Sequence, residues 1–578
     1  MSPRTRRLRA SAALLAAAAL AGCVSIPTSG PIGEGSPAPV ELEALIPLPL
    51  GPLENADEEE IVAGFLRAAQ AGVFQDYSTA RQFLAPGANW DPRAVTMVAS
   101  EDPTVVRTAE GSVEVEVSVA ATVDATGAYK GQAPAAEPVE MPFELVRLAG
   151  QWRIASLPDG VVFRESAFTN AYTPVPVYFA APEPEGAPVL GVPDVRWLPT
   201  TNRSLLLLRV VQALFGGPSP WLRDAVVTAV PNLAEAVEDV TGPDAAGVVT
   251  VALSSDVNTV ELPEGARELL QAQLEATLMS SNLRGIVVAG VTVTADGVPW
   301  EPARGRAEPL VLEVVPPGGP FVLAGDAVAE ARGREAPEPV PGLPSLAGLA
   351  AHHPAMSVDG EVWVVLDGPQ RLVLLPVEGA EPQTLYTGTG VLLSPSVDRH
   401  DWIWTGERSS AGVLVAVSPQ GDRVDVPAPW LAGREITSMR VSRDGTRIAI
   451  ASVGPDLATT VEVASIIRNG TQPQLLSGEQ PHQVGAVLTQ VVELAWLDST
   501  TLVVLGATGG SEQPGVYEVP IGGPGRLLQG ATEGARGIAA GRADETVYVV
   551  DDDGVLRQLR NSSWLQVAVD VRDPVFPG

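Results

Sequence analysis

From Asp57 onward the apolar residues fall on one side of a helix: Ile61, Val62, Phe65, Leu66 and Ala69 recur at three- and four-residue steps. Asp57, with Glu60 three residues later, has the spacing of a capping box, so the helix is expected to start there. A second helical stretch is expected through Ala80, Phe83 and Leu84. Past Trp90-Asp91-Pro92 the period drops to two. Val113, Val115, Val117 and Val119 alternate with Glu114, Glu116 and Ser118, the pattern of a half-buried strand. Residues 141–147 and 151–157 read as two further strands joined at Ala149-Gly150. Helical spacing returns at Leu206, Val210, Val211 and Leu214, introduced by Asn202-Arg203-Ser204 and stopped by Gly216-Gly217-Pro218. Residues 175–179, 248–253 and 286–294 read as strands. A helix opened by Pro263 carries Leu270, Leu274 and Leu278.

The last third repeats itself. Ser357-Val358-Asp359-Gly360 precedes Val362-Trp363-Val364-Val365, and Ser442-Arg443-Asp444-Gly445 precedes Ile448-Ala449-Ile450. Asp398, Asp498 and Asp544 stand in the same way before Trp402-Ile403-Trp404, Leu502-Val503-Val504-Leu505 and Val547-Tyr548-Val549-Val550. A repeat of roughly 45 residues, built of turn and strand in alternation, is the period of a propeller blade. Five such units are legible, and Phe321-Val322-Leu323 belongs either to another blade or to the closure of the ring. The helices followed by a meander ending in Gln151-Trp152-Arg153-Ile154 resemble an NTF2-type domain. The segment carrying Pro176-Val177-Tyr178-Phe179, Leu214-Phe215-Gly216-Gly217-Pro218, Ala229-Val230-Pro231 and Val249-Thr250-Val251-Ala252-Leu253-Ser254 resembles a GerMN domain. The expected fold class is therefore multidomain: an α+β NTF2-like domain over 55–166, an α+β GerMN-like domain over 170–302 and an all-β propeller over 310–578.

The head of the chain has its own pattern. Arg4, Arg6, Arg7 and Arg9 precede an apolar run from Ala12 to Leu20, too short to cross a bilayer as a mature helix. Leu20-Ala21-Gly22-Cys23 then matches a bacterial lipobox at every position. That resemblance implies a signal peptide over 1–22 and an acylated N-terminus at Cys23, an N-palmitoyl and S-diacylglycerol cysteine. Cys23 is the sole cysteine, so no internal disulfide forms. Residues 23–54 carry seven prolines among Gly and Ser and read as a semi-extended tether. Pro337, Pro339, Pro341 and Pro344 mark a second stretch, 332–345, expected to be open to proteases. The expected location is the outer side of the cell membrane, held there by lipid.

Composition narrows the partners. The formal net charge of −32 repels nucleic acid and anionic lipid headgroups. No Walker-type, Gly-x-Ser-x-Gly or Gly-x-Gly-x-x-Gly motif occurs. The adjacent His352 and His353, expected on opposite faces of a strand, make a poor metal site. Asp551-Asp552-Asp553-Gly554 reads as a hairpin turn rather than a calcium loop. No catalytic residue, cofactor or metal ligand is singled out, and the chain is not expected to be an enzyme.

Lipobox, NTF2-like unit, GerMN-like unit and propeller, in that order, resemble the LpqB family of actinobacterial lipoproteins. The resemblance implies an accessory or adaptor of the MtrA–MtrB two-component system. Such a protein binds the extracytoplasmic domain of the membrane sensor histidine kinase and modulates cell-wall metabolism and division. The alternative reading is a cell-wall saccharide- or peptide-binding protein using the propeller funnel, with Trp363, Trp402, Trp404 and Trp496 as candidate stacking surfaces.

Overall fold

The computed structural model describes residues 50–578 apart from 75, 134–135, 184–188, 201–202, 230–235, 259–263, 281–282, 301, 303–307, 334, 378–379, 410, 477–480, 510–512 and 543–545. The lipobox with Cys23, most of the tether, Asn202, Pro231, Pro263 and Asp544 lie outside the described residues.

Helix α1 (Glu58–Gly72) starts at the expected box: Asp57 Oδ1 accepts from Glu60 N at 2.9 Å, and Glu60 Oε2 accepts from Asp57 N at 3.0 Å. Its Ile61, Val62 and Phe65 are buried against two four-stranded sheets. Helix α2 (Ser78–Arg81) is a single turn. Phe83 and Leu84 lie past its end, where Leu84 bridges to Ile154. The valine run does not form one strand. Ser112–Val117 and Val119–Asp124 part at Ser118 and enter different sheets, with the Ser118 carbonyl accepting from Ser100 N at 2.9 Å. Alternation survives the bend because both sheets bury the same face of the run.

Helix α3 (Glu165–Ala171) leads without a loop into the hairpin Tyr172–Ala180/Gly191–Pro199. This hairpin serves two cores. Tyr172 and Trp197 at its base pack with the N-terminal domain, whereas Val175, Val177 and Phe179 pack with helices α4 (Arg203–Phe215) and α5 (Ala266–Ser280). Helix α5 is the crossover between the parallel strands Val248–Leu253 and Gly290–Ala295. The last of these begins later than 286, because Ile286 turns back on Leu283.

The last domain is a propeller whose described sheets number six, each of four strands, one with a fifth strand at His482–Val484. The innermost strands neighbour one another in a ring: Val571–Val575, Ala351–Met356, Ser396–Val397, Glu435–Val441, Leu488–Trp496, Ala535–Ala540, and back to Val571–Val575. One blade closes the ring, because Val571–Val575 from the end of the chain pairs with Phe321–Ala324 from the domain's beginning. Closure leaves no open inner edge for another chain to extend. Numbering blades from this one, each pair of neighbours shares its own apolar seam, six in all among the described residues. The proline-rich stretch belongs to blade 1: Glu338–Pro339 pairs with its third strand, and Leu346 is buried in the seam between blades 1 and 2.

Candidate functional site

The recurring aspartates are turn-formers. Asp359, Asp398, Asp444 and Asp498 each close the turn between the first and second strands of a blade by accepting a backbone N–H two residues on, at 2.7 to 3.0 Å. Asp398 also accepts from Trp404 Nε1 at 2.7 Å and from Arg468 at 2.6 Å, and Asp444 pairs with Arg447 in full burial. Trp363, Trp402, Trp404 and Trp496 are all buried in the seams, so none offers a face for sugar stacking.

The axis of the propeller gathers charge. Asp573 and His353 stand on adjacent inner strands, each in a bulge and each in the left-handed region, with φ of 51° and 46°. Asp573 Oδ2 accepts from His353 N at 3.2 Å, and Oδ1 lies 3.6 Å from Nδ1. The bulge overturns the expectation that the two histidines face opposite ways, for it brings their rings edge to face with centroids 5.0 Å apart. Burial lowers the His353 pKa to about 4 against the pull of Asp573, so the imidazole is neutral at pH 7. Glu493 accepts from Arg440 Nη2 at 2.7 Å and from Ile538 N at 3.0 Å, linking blades 4, 5 and 6. Burial raises its pKa, and Arg440 offsets part of that.

Toward the opposite end of the axis, Arg443 holds the hub by carbonyls alone: Ala540 O at 2.7 Å, Trp496 O at 2.9 Å, Leu497 O at 3.3 Å and Pro577 O at 3.4 Å. Burial lowers its pKa to about 10, with Glu313 and Asp498 pulling the other way. Nothing around Ser442-Arg443-Asp444 in the sequence distinguishes this arginine, because its partners come from three other segments.

The three domains meet at a packed junction. Trp197 Nε1 donates to Gly522 O at 2.6 Å, and its ring lies 4.7 Å from Phe168 and 5.8 Å from Tyr129. A side chain at Gly522 would come within 2.7 Å of Val195, so glycine is needed for the approach. Asp194 accepts from Ser219 N at 2.7 Å and from Arg196 at 2.8 Å, and Arg196 reaches Thr126 Oγ1 at 2.6 Å. These bonds give the Gly-Gly-Pro-Ser turn after α4 its role as a brace. Trp221 stacks on His482 at 5.2 Å, Ser465 donates to Trp221 O at 2.8 Å, Glu183 pairs with Arg399, and Ser499 N donates to Glu313 at 3.0 Å.

Among the described residues no three His, Cys, Asp or Glu side chains converge as ligands for a metal, and no helix is long and apolar enough to cross a membrane. Asp551 to Gly554 form a turn, with Asp551 accepting from Val555 N at 2.9 Å and paired with Arg557.

Family models divide the chain in the same order as the structure. Lipoprotein LpqB, N-terminal domain, matches 51–169; Sporulation and spore germination matches 176–301; Lipoprotein LpqB beta-propeller domain matches 327–577. The Lipoprotein LpqB of Cutibacterium acnes is 28% identical over 98% of each chain, and that of Nocardia farcinica is 28% identical over 100% of each. A solved structure of dihydro-heme d1 dehydrogenase NirN is similar with a TM-score of 0.27 and 12% identity, over 43% of this chain and 54% of that one, too distant to bear on function. With an LpqB N-terminal domain, a germination-type domain and an LpqB propeller in sequence, and relatives alike from end to end, the chain belongs to the LpqB family of lipoproteins.

Proposed function

We propose that the protein is a lipid-anchored accessory of the MtrA–MtrB two-component system, acting by contact with the extracytoplasmic domain of the sensor kinase rather than by catalysis. The observation that carries this reading is the end-to-end likeness to LpqB lipoproteins. The bonded junction at Trp197 supports it, because domains fixed to one another present a constant surface to a partner. Acylation at Cys23 places that surface on the membrane that holds the kinase. Confinement raises the effective concentration of both partners, so a weak contact is still occupied.

The test measures binding between the purified mature protein and the kinase's extracytoplasmic domain, alongside phosphorylation of the regulator in a deletion strain. Binding together with altered phosphorylation is expected. No binding together with unchanged phosphorylation removes the reading. Cys23→Ser is expected to leave the membrane fraction or to stall as precursor, and to shift kinase output much less than the wild type. A fully processed, membrane-bound Cys23→Ser protein would overturn the anchor.

A further inference from the structure

Blades built alike can be compared turn by turn. Among the described turns between second and third strands, four carry a glycine in the left-handed region: Gly325, Gly368, Gly412 and Gly554, with φ of 56° to 81°. Blade 4 puts Leu457 there instead, at φ of 64°. Its turn is otherwise regular. Leu457 N donates to Gly454 O and Gly454 N to Ala458 O, both at 2.9 Å, and Asp456 Oδ1 accepts from Ala458 N at 3.1 Å. A branched side chain enters that region at a cost that glycine avoids. Burial does not offset the cost, since Leu457 is 83% exposed, more than any other large apolar residue described.

Leu457 does not stand alone. Beside its hairpin runs the turn Pro429–Leu431, which continues to Arg434, with Pro429 and Ala432 exposed and Trp430 half-buried. Arg434 ties this turn to the hairpin, its Nε donating to Ser452 Oγ at 2.8 Å and its Nη2 to Thr460 Oγ1 at 2.7 Å. On the other side Ala428 N donates to Gly412 O at 2.8 Å, and a Cβ at Gly412 would lie 3.5 Å from Pro429 Cα. That contact brings the half-exposed Val413 up to the same turn. Three turns from blades 3 and 4 thus build one apolar ridge, held in shape by hydrogen bonds and not by cover. A contiguous exposed ridge of this kind marks a contact surface, which scattered single residues do not.

The end of the ring that bears the ridge is acidic. The antiparallel order of each blade places the second-to-third turns and the links from blade to blade at one end, and the remaining turns at the other. The front half of the chain bonds to the other end, where Arg399 pairs with Glu183, Ser499 N donates to Glu313 and Gly522 O accepts from Trp197. At the end of Leu457, Asp326, Asp456, Glu533, Asp553 and Asp570 are exposed and in no ion pair among the described residues. The arginines there are already engaged, Arg371 by Asp367, Arg408 by Glu435 and Arg536 by Asp552.

We propose that this end of the propeller docks a protein partner, with Leu457 and its ridge entering an apolar socket and the acidic rim meeting basic side chains around that socket. The surface rests on the accessory reading above, in which the partner is the sensor kinase's extracytoplasmic domain. A second copy of this chain is a poor occupant, because a self-complementary contact would set two acidic rims against each other.

The test compares the full mature protein with Leu457→Gly for binding to the kinase's extracytoplasmic domain, with melting temperature and sedimentation measured on both. Glycine suits the left-handed turn, so the variant removes the side chain without straining the fold. It is expected to weaken binding by about tenfold or more at an unchanged melting temperature. Glu533→Lys is expected to slow association severalfold, and sodium chloride to weaken the wild-type complex. Wild-type affinity in Leu457→Gly overturns the surface and leaves the accessory reading in place. Absence of binding by the wild type removes that reading and the surface with it. A wild type that sediments as a dimer, beside a monomeric Leu457→Gly, overturns the partner in favour of self-association.

Discussion

Arg447 in the propeller is fully buried, Arg209 at the edge of the GerMN-like domain is half-buried, and the two are held in different ways. Arg447 pairs with Asp444 three residues earlier in its own turn, and lies over the Trp496 ring at 5.1 Å. The blade makes this charge pair locally, from one turn, and sets it against a seam tryptophan. Arg209 makes no ion pair among the described residues, and burial lowers its pKa, with Arg93 lowering it further. Both arginines keep buried nitrogens without a partner, Nε and Nη1 in Arg447 and Nη1 in Arg209, so what separates them is the carboxylate that the propeller turn supplies to Arg447.

The largest effect is expected from Arg447→Ala. Removing one partner leaves Asp444 as an uncompensated buried charge, so a loss of about 3–5 kcal/mol is expected in denaturant unfolding of the propeller. A loss below 1 kcal/mol would show that the pair is dispensable.

Next in size is Trp197→Phe, which orphans the Gly522 carbonyl and thins the stack on Phe168. A cost of about 2 kcal/mol is expected, with the single calorimetric transition splitting as the front half and the propeller melt separately. A transition that stays single would mean that the remaining contacts suffice to couple them.

Asp401 tests the propeller's charge handling by pH. Burial first, then Asp359, Asp398 and Glu361, push its pKa up to about 6. The folded value lies above the unfolded one, so this contribution is fully present below about pH 4 and is lost as pH rises through 6. Asp401→Asn keeps the neutral state and tolerates the φ of 63°. It is expected to stabilise the propeller at pH 7 by about 1 kcal/mol, after discounting for solvent contact, and to flatten the slope between pH 4 and 6. An unchanged slope would rule out Asp401 as its source.

The smallest effect is expected from Arg209→Gln. No carboxylate loses its partner, so stability should change by less than about 0.5 kcal/mol. A loss comparable to that of Arg447→Ala would place Arg209 among the structural arginines instead.

Much of the architecture is legible in the order of residues because it rests on local rules. The Asp57/Glu60 box sets the start of α1, and Leu270, Leu274 and Leu278 lie on the buried face of α5. The spaced aspartates mark the blades because each closes its own turn with atoms two residues away. The features that escape sequence reading depend on partners far along the chain. Ser118 bends a run whose alternation never falters, and His353 leaves the strand pattern because Asp573 waits 220 residues away. Pro337 to Pro344 have the composition of a linker, yet Val328 and Asp326 accept from Val340 N and Leu346 N and hold the stretch in a blade.

The succession of elements, the period of the repeat and the acidic character of the chain are written in the order of its residues, because hydrophobic spacing, turn chemistry and charge act over a few residues or simply add. It took the folded chain to show that the described residues build six blades, that one hairpin serves two cores, and that Arg443 is satisfied by carbonyls from three distant segments. Those outcomes depend on which surfaces meet across hundreds of residues, and an ion pair, an orphaned donor or a closing strand exists only once both sides have been brought together.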